Sequence, residues 1–294
     1  MHTIVVFTRR SRHEGVLGAW LADAVGRGEK VLVLRAPGED ASVLNRSLAA
    51  AGLDPSGVVG SGQVEMLDSA RWRAESGGRA QRLYELYLAQ VRRADRDGFP
   101  GVAITRDERA LRALVRDDDE LIAHEHDIDR LVADQGVRAL CRYPVREGGG
   151  VLHEILRLHC RDVVDDLWQA TVVADSLPVR GEIEASNVDR FDMVVRAALT
   201  AGASTVDLSG VEFFSAAAVR ALFGAADLLQ QRGRPLTLLD PQVSHVKALA
   251  LEFLAEHPAV ELIGQKSGWR WPSQTSELGH RSGGRPGGPS MRNT

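Results

Sequence analysis

Asp207-Leu208-Ser209-Gly210-Val211-Glu212-Phe213-Phe214-Ser215-Ala216-Ala217-Ala218-Val219 is the stretch that decides how the C-terminal half of this chain folds. It reads as a strand, a tight turn, and a helix start built from very small residues. A helix N-terminus exposes unpaired backbone N–H groups and the positive end of the helix dipole. Alanines at 216, 217 and 218 leave that end sterically bare, so a partner surface or an anion can approach it closely. The same run also reads as a plain strand-to-helix connection whose alanines serve helix propensity. Spacing leaves both readings open.

Working outward, residues 171–173 and 177–183 form a pair of strands. Ser186 then caps a helix in which Val188, Phe191, Val194, Val195 and Ala198 recur at helical spacing. Residues 205–208 are a strand, and the helix after Ser215 gathers Val219, Leu222, Phe223, Ala226 and Leu229 on one face until Gly233 and Pro235 stop it. Residues 236–239 are a strand. Asp240-Pro241 opens a helix carrying Val243, Val246, Leu249, Ala250 and Phe253, and residues 260–263 close the folded part. Residues 265–294 are rich in Gly, Ser, Pro and Arg, with five basic residues against one acid, and read as a disordered tail.

The first half alternates apolar strands at 3–7, 30–34, 64–67, 101–105 and 138–143 with amphipathic helices. A capping box of Ser11 and Glu14 precedes Leu17, Trp20, Leu21, Ala24 and Val25; Gly26 and Gly28 end that helix. Further helices run through 41–51, through Leu83, Tyr84, Tyr87, Leu88 and Val91, and through Leu121, Ile122, Ile128 and Leu131. The acidic run 117–120 suits the start of the last of these. After a turn at Gly148-Gly149-Gly150, a helix with Leu152, Ile155 and Leu156 closes the unit, placing a domain boundary near Trp168. This order implies a parallel sheet covered on both faces.

Composition narrows the chemistry. The 294 residues carry a net charge of -4, 44% hydrophobic and 26% charged residues, an ordinary globular balance with no general attraction to nucleic acid or anionic membrane. No apolar run reaches membrane-spanning length. Cys141 and Cys160 imply no disulfide framework, and a reducing cytoplasmic compartment is expected. Lysine occurs only at 30, 247 and 266, none behind the glycine-rich turn of a phosphate-binding loop; Gln265 stands where Lys266 would need glycine. No dinucleotide fingerprint follows Val6, and no nucleophile motif is present, so no cofactor and no enzymatic activity are expected. His153-Glu154 lacks the second histidine of a zinc-protease helix, because position 157 is Arg, and His159 lies six residues on and points elsewhere. His124 and His126 also diverge. Cys141 reads as a buried small hydrophobe, and no metal is expected. Trp269 and Trp271 lie near the basic tail without any recognised nucleic-acid module.

The C-terminal half, about residues 169–264, resembles the STAS family, the fold of anti-sigma factor antagonists, in its order of elements and in "DLSGVEFFSAAAVRAL". The family usually has Asp-Ser-Ser-Gly-Leu there, and a kinase-type anti-sigma factor phosphorylates the serine before the glycine. By that likeness Ser215 stands at the aspartate, Ala216 at the first serine, Ala217 at the phosphorylated serine and Ala218 at the glycine. The likeness implies a partner-binding surface of Glu212, Phe214, Ser215, Ala216, Ala217, Ala218 and Val219. Alanine cannot carry a phosphate, so phosphorylation is absent, has moved to Ser215 or Ser209, or is replaced by gating from the first half.

Residues 1–168 resemble the MEDS domain, a sensory module with a RecA-like fold that lacks the phosphate loop. The likeness rests on "HTIVVF", "GRGEKVLVL", "GQVEML", the segment around Glu125, "ALCRYP" and "LRLHC". It implies sensing of small hydrocarbon derivatives and makes His2, Glu125, Cys141 and His159 ligand-site candidates; Cys160 departs from the proline common after that histidine. The expected whole is an α/β protein: a RecA-like parallel-sheet sensory domain (1–168), a smaller STAS-type domain (169–264) and a tail (265–294). Its expected partner is an anti-sigma factor or related kinase-type regulator, modulated by a small molecule, without direct nucleic-acid or membrane contact. The alternatives are a degenerate RecA-like nucleotide-binding or hydrolytic enzyme, and a non-switching scaffold.

Overall fold

Strands β1 (His2–Phe7), β2 (Lys30–Arg35), β3 (Val64–Asp68), β4 (Val102–Asp107), β5 (Arg138–Pro144) and β6 (Asp162–Val164) lie parallel in the order β6-β1-β5-β4-β2-β3. This is the RecA-like sheet of the first half. The computed structural model describes residues 1–8, 10–145, 149–159, 161–239 and 256–263. The expected helix after Asp240-Pro241 and the tail at 265–294 lie outside the described residues, as does Cys160.

Side chains alternate across each strand and so address two helical layers. Val5, Val31, Val33 and Leu140 meet Leu17, Trp20 and Leu21 of α1 (Arg10–Gly26) and Leu44 and Leu48 of α2 (Ala41–Ala50). Ile4, Ile104, Ala139, Cys141 and Tyr143 face the other way. They lie beneath α5 (Ala80–Arg96), α6 (Glu108–Leu114), α7 (Asp118–Gln135) and α8 (Gly149–Leu158). Two short helices, α3 (Pro55–Gly60) and α4 (Ser69–Ser76), flank β3. Asp117 caps α7, its Oδ1 accepting from the Glu120 N–H at 2.9 Å, as the acidic run expects.

The sheet does not stop at the expected boundary. β7 (Trp168–Thr171) runs antiparallel to β6 on one side and to β8 (Ser176–Ile183) on the other. β8, β9 (Thr205–Phe214), β10 (Leu236–Leu239) and β11 (Val260–Ile263) then continue in parallel, giving one eleven-stranded sheet. The apolar cluster over β1 and β5 is continuous with Phe191 and Val194 of α9 (Val188–Thr200) and Leu222 of α10 (Ala216–Gln230). Three carboxylates pin the crossing. Asp162 accepts from Thr3 Oγ1, Asp166 from the Thr8 N–H at 2.6 Å, and buried Asp165 from Arg190 Nε of α9 at 2.6 Å. Gly181 makes the close pass possible. Its φ is +95°, and a Cβ there would sit 2.2 Å from the Leu167 carbonyl oxygen.

Several local expectations are corrected. β9 runs on to Phe214, so Ser209-Gly210 is strand and not a tight turn. Register shifts against β8 accommodate the length, and Gly210 lets Arg180 pass where a Cβ would lie 2.5 Å from its Cγ. α9 is entered through Asn187 rather than Ser186. Buried Asn187 accepts from the Glu184 N–H at 3.0 Å and donates to the Glu182 carbonyl at 2.9 Å, while Ser186 Oγ donates to Glu184. α1 starts at Arg10, so Ser11 is inside it, and α8 starts at Gly149 within the expected turn. β6, α3, α4 and α6 carried no sequence forecast because all are short; β6 has only three residues.

Candidate sensory site and docking face

The α7 face turned toward the sheet carries an unusual load for a core. His124 and Glu125 are both fully buried, directly above β1, β4 and β5. Arg106 of β4 stands opposite Cys141 of β5, and its Nη2 donates to Glu125 Oε2 at 2.8 Å with both side chains 0% exposed. Tyr143 Oη donates to the other carboxylate oxygen at 2.6 Å. Burial alone would raise Glu125, yet the Arg106 charge and the His159 and His2 rings hold it well below the usual carboxylate range. Burial pushes the Cys141 thiol well up, against the pull of Arg106.

Two histidines complete the cluster. His2 is the first residue of β1, and His159 follows the end of α8 just before β6. Their Nε2 atoms lie 2.8 Å apart, with His2 Nε2 also 2.9 Å from Cys141 Sγ and His159 Nε2 3.2 Å from Glu125 Oε2. The outer partners orient the rings. His2 Nδ1 is 2.6 Å from an Asp129 carboxylate oxygen and His159 Nδ1 is 2.7 Å from the Ile155 carbonyl, both acceptors. Each Nδ1 therefore faces an acceptor, and both Nε2 atoms converge on the same spot. Burial, and then the His159 ring, lower the His2 pKa to about 4, so that ring is neutral near pH 7.

The four residues proposed as ligand-site candidates thus come together, from β1, α7, β5 and the α8–β6 junction. Arg106, Tyr143 and Asp129 belong to the same site and carried no signal of their own in the sequence. His124 is buried but points away from the four: it stacks on Tyr87, with ring centroids 5.7 Å apart, and burial followed by the Arg106 charge lowers its pKa to about 3. His126 and His153 are exposed.

In the C-terminal half, Ser215 is the N-cap of α10, its Oγ accepting from the Ala218 N–H at 3.3 Å. Ala216 is exposed and Ala217 half-buried, beside exposed Glu212 and Phe213. Phe214, Ala218 and Val219 are core residues, packed with Phe191 and Leu222, and offer little surface to a partner. A register shift explains the swap: Glu212 is an extra residue between Val211 and Phe213, so Val211 and Phe214 both turn inward and Phe213 is the aromatic left at the surface, 48% exposed. Ser209 is half-buried within β9.

Residues 1–160 match the profile described as MEDS, the methanogen/methylotroph, DcmR sensory domain. The chain belongs to the MEDS family. Residues 168–257 match a second profile, described as Mlab, STAS domain, so a MEDS sensory half precedes a STAS domain in one polypeptide. Comparison with curated proteins gives no match. The MEDS match ends one residue after His159, and the STAS match begins with Trp168 at the start of β7. The buried cluster therefore belongs to the MEDS half, and the α10 start to the STAS domain. No helix among the described residues is long and apolar enough to cross a membrane.

Proposed function

We propose that this protein is a cytoplasmic signal-transduction regulator that works by binding rather than catalysis. Its STAS domain docks an anti-sigma factor or related kinase-type regulator, and so influences sigma-factor-dependent transcription. The MEDS half gates that contact in response to a small ligand or protein signal. The observation that carries the reading is the presented start of α10: exposed Ala216 and half-buried Ala217, flanked by Glu212 and Phe213 at the end of β9. With alanine at 217 and the Ser215 hydroxyl engaged as the helix cap, an uncharged docking end is built in. Control then falls to the first half.

A physical route for such control exists. His159 directly follows α8, α8 packs on α9, and α9 packs on α10, while Asp165 ties the crossing segment to Arg190 of α9. A ligand that shifts the α8 end has packed elements through which to bias the α10 start. Titrating the full chain with anti-sigma factors of the source genome tests the docking. Micromolar or tighter binding that Ala217→Glu weakens at least tenfold is expected. Unchanged affinity of the variant moves the interface elsewhere, and thermal stabilisation by ATP or NAD would favour the enzymatic alternative instead.

A further inference from the structure

The MEDS cluster has a feature that a sensing pocket for an organic molecule does not require. Two imidazole Nε2 atoms converge at 2.8 Å, while each Nδ1 faces an acceptor, Asp129 on one ring and the Ile155 carbonyl on the other. A single proton or a metal ion between them would satisfy both nitrogens. Cys141 Sγ and Glu125 Oε2 close the same small space, each within 3.5 Å of His2 Nε2. Cys141 Sγ lies 3.5 Å from Glu125 Oε2, and all four donor atoms lie within 4.8 Å of one another. Two imidazole nitrogens, a sulfur and a carboxylate oxygen gathered at one point can hold a cation there.

We propose that His2 Nε2, His159 Nε2, Cys141 Sγ and Glu125 Oε2 bind one zinc-class transition-metal ion. The donor set of two imidazoles, one thiolate and one carboxylate suits Zn²⁺ and its first-row neighbours, and not the all-oxygen preference of Mg²⁺ or Ca²⁺. Tetrahedral bonds of about 2.0–2.3 Å need donor atoms roughly 3.3–3.8 Å apart, so the ion spreads the closest pairs by about half an ångström. The outer partners are those of a metal site: a carboxylate on one ligating histidine and a backbone carbonyl on the other, each fixing the ring and its tautomer. Charge also closes. On binding, the Cys141 thiol loses its proton to solvent as its sulfur bonds the ion. The ion's two charges and Arg106 are then matched by the thiolate, Glu125 and Asp129. All four ligand residues are buried, with His2 the most exposed at 8%. Asp129, whose side chain is 41% exposed, marks the way in.

This deepens the sensory reading of the MEDS half, because the ion would tie His159, at the end of α8, to β1, β5 and α7. It does not depend on docking at α10. The test uses chelator-treated full-length protein titrated with Co²⁺ as the spectroscopic stand-in, then with Zn²⁺. One ion per chain is expected, with a thiolate-to-cobalt charge-transfer band that Zn²⁺ abolishes by displacement. Cys141→Ser should remove that band, and Asp129→Asn should weaken Zn²⁺ binding about 10–100-fold while leaving the band in place at saturation. Replacing exposed His126 and His153 together should change nothing. Circular dichroism of each variant separates lost binding from lost fold. Absence of a thiolate band in folded wild type, or a band that survives Cys141→Ser, overturns the proposal. Anti-sigma factor affinity measured with and without Zn²⁺ is a separate readout, so that failure of docking leaves the ion result standing.

Discussion

His2 Nε2 and His159 Nε2 meet at 2.8 Å although 157 positions separate them in the chain. One heads β1 of the MEDS half; the other sits where the chain leaves it for the STAS domain. The pair therefore places the chemistry of the first half directly against the junction with the second, a few residues from the carboxylates that fasten β6 and β7 in place.

Glu125 holds this centre together by accepting from Arg106 and Tyr143 while fully buried. Glu125→Ala leaves the Arg106 guanidinium buried without its counter-charge. Breaking such a pair from one side costs about 3–5 kcal/mol. A urea midpoint close to wild type would show that Arg106 has found other compensation.

Gly181→Ala should be among the most damaging single-methyl changes in the molecule. The residue needs φ +95°, and the added Cβ meets the Leu167 carbonyl oxygen at 2.2 Å, where backbone and not a flexible side chain must move. A loss above about 2 kcal/mol is expected, as for substitutions that combine strain with overpacking. Thermal unfolding decides it; a melting temperature within a degree or two of wild type would mean that β7 and β8 separate readily there.

The start of α5 is capped from another helix. Arg79 provides no side-chain cap, and the Ala80 N–H instead donates to Glu120 Oε2 of α7 at 2.7 Å. That backbone hydrogen bond, with the Arg116 pair also contributing against desolvation, holds the Glu120 carboxyl below its usual value of 4.5. A depressed folded pKa gives stability that is present above pH 4.5 and is lost as pH falls through the folded value. Glu120→Ala should therefore be about 1 kcal/mol less stable than wild type at pH 7, and the gap should close in acid. Denaturant midpoints at pH 7 and pH 3 check the sign; an equal gap at both would assign the loss to packing.

Phe213 is the exposed aromatic beside the α10 start. Phe213→Ala should weaken anti-sigma factor binding about tenfold or more, because a solvent-facing aromatic is the kind of anchor that interfaces concentrate upon. Folding stability should stay within about 0.5 kcal/mol of wild type. Loss of stability with intact binding would identify Phe213 as a packing residue.

Much of the fold was legible because it is written locally. The apolar runs at β1, β2, β4 and β5 are buried on both faces and therefore near-continuous in sequence, and α5, α7, α9 and α10 carry their apolar residues at helical spacing. β6 escaped because three residues make no pattern. Which of two adjacent phenylalanines faces solvent also escaped, because the register shift at Glu212 resets the alternation and leaves no mark in sequence.

The amino-acid sequence by itself determined the alternation of strands and helices, the order of two modules, and the absence of a phosphate loop, since each depends on neighbours within a turn or two of chain. Family resemblance singled out His2, Glu125, Cys141 and His159, but not what they do to one another. Only the tertiary structure brought two Nε2 atoms, a thiol and a carboxylate to one point, supplied Arg106, Tyr143 and Asp129 around them, and ran a single sheet through both modules. Those outcomes rest on strand order and register, which join residues more than a hundred positions apart and leave no periodic trace in the chain.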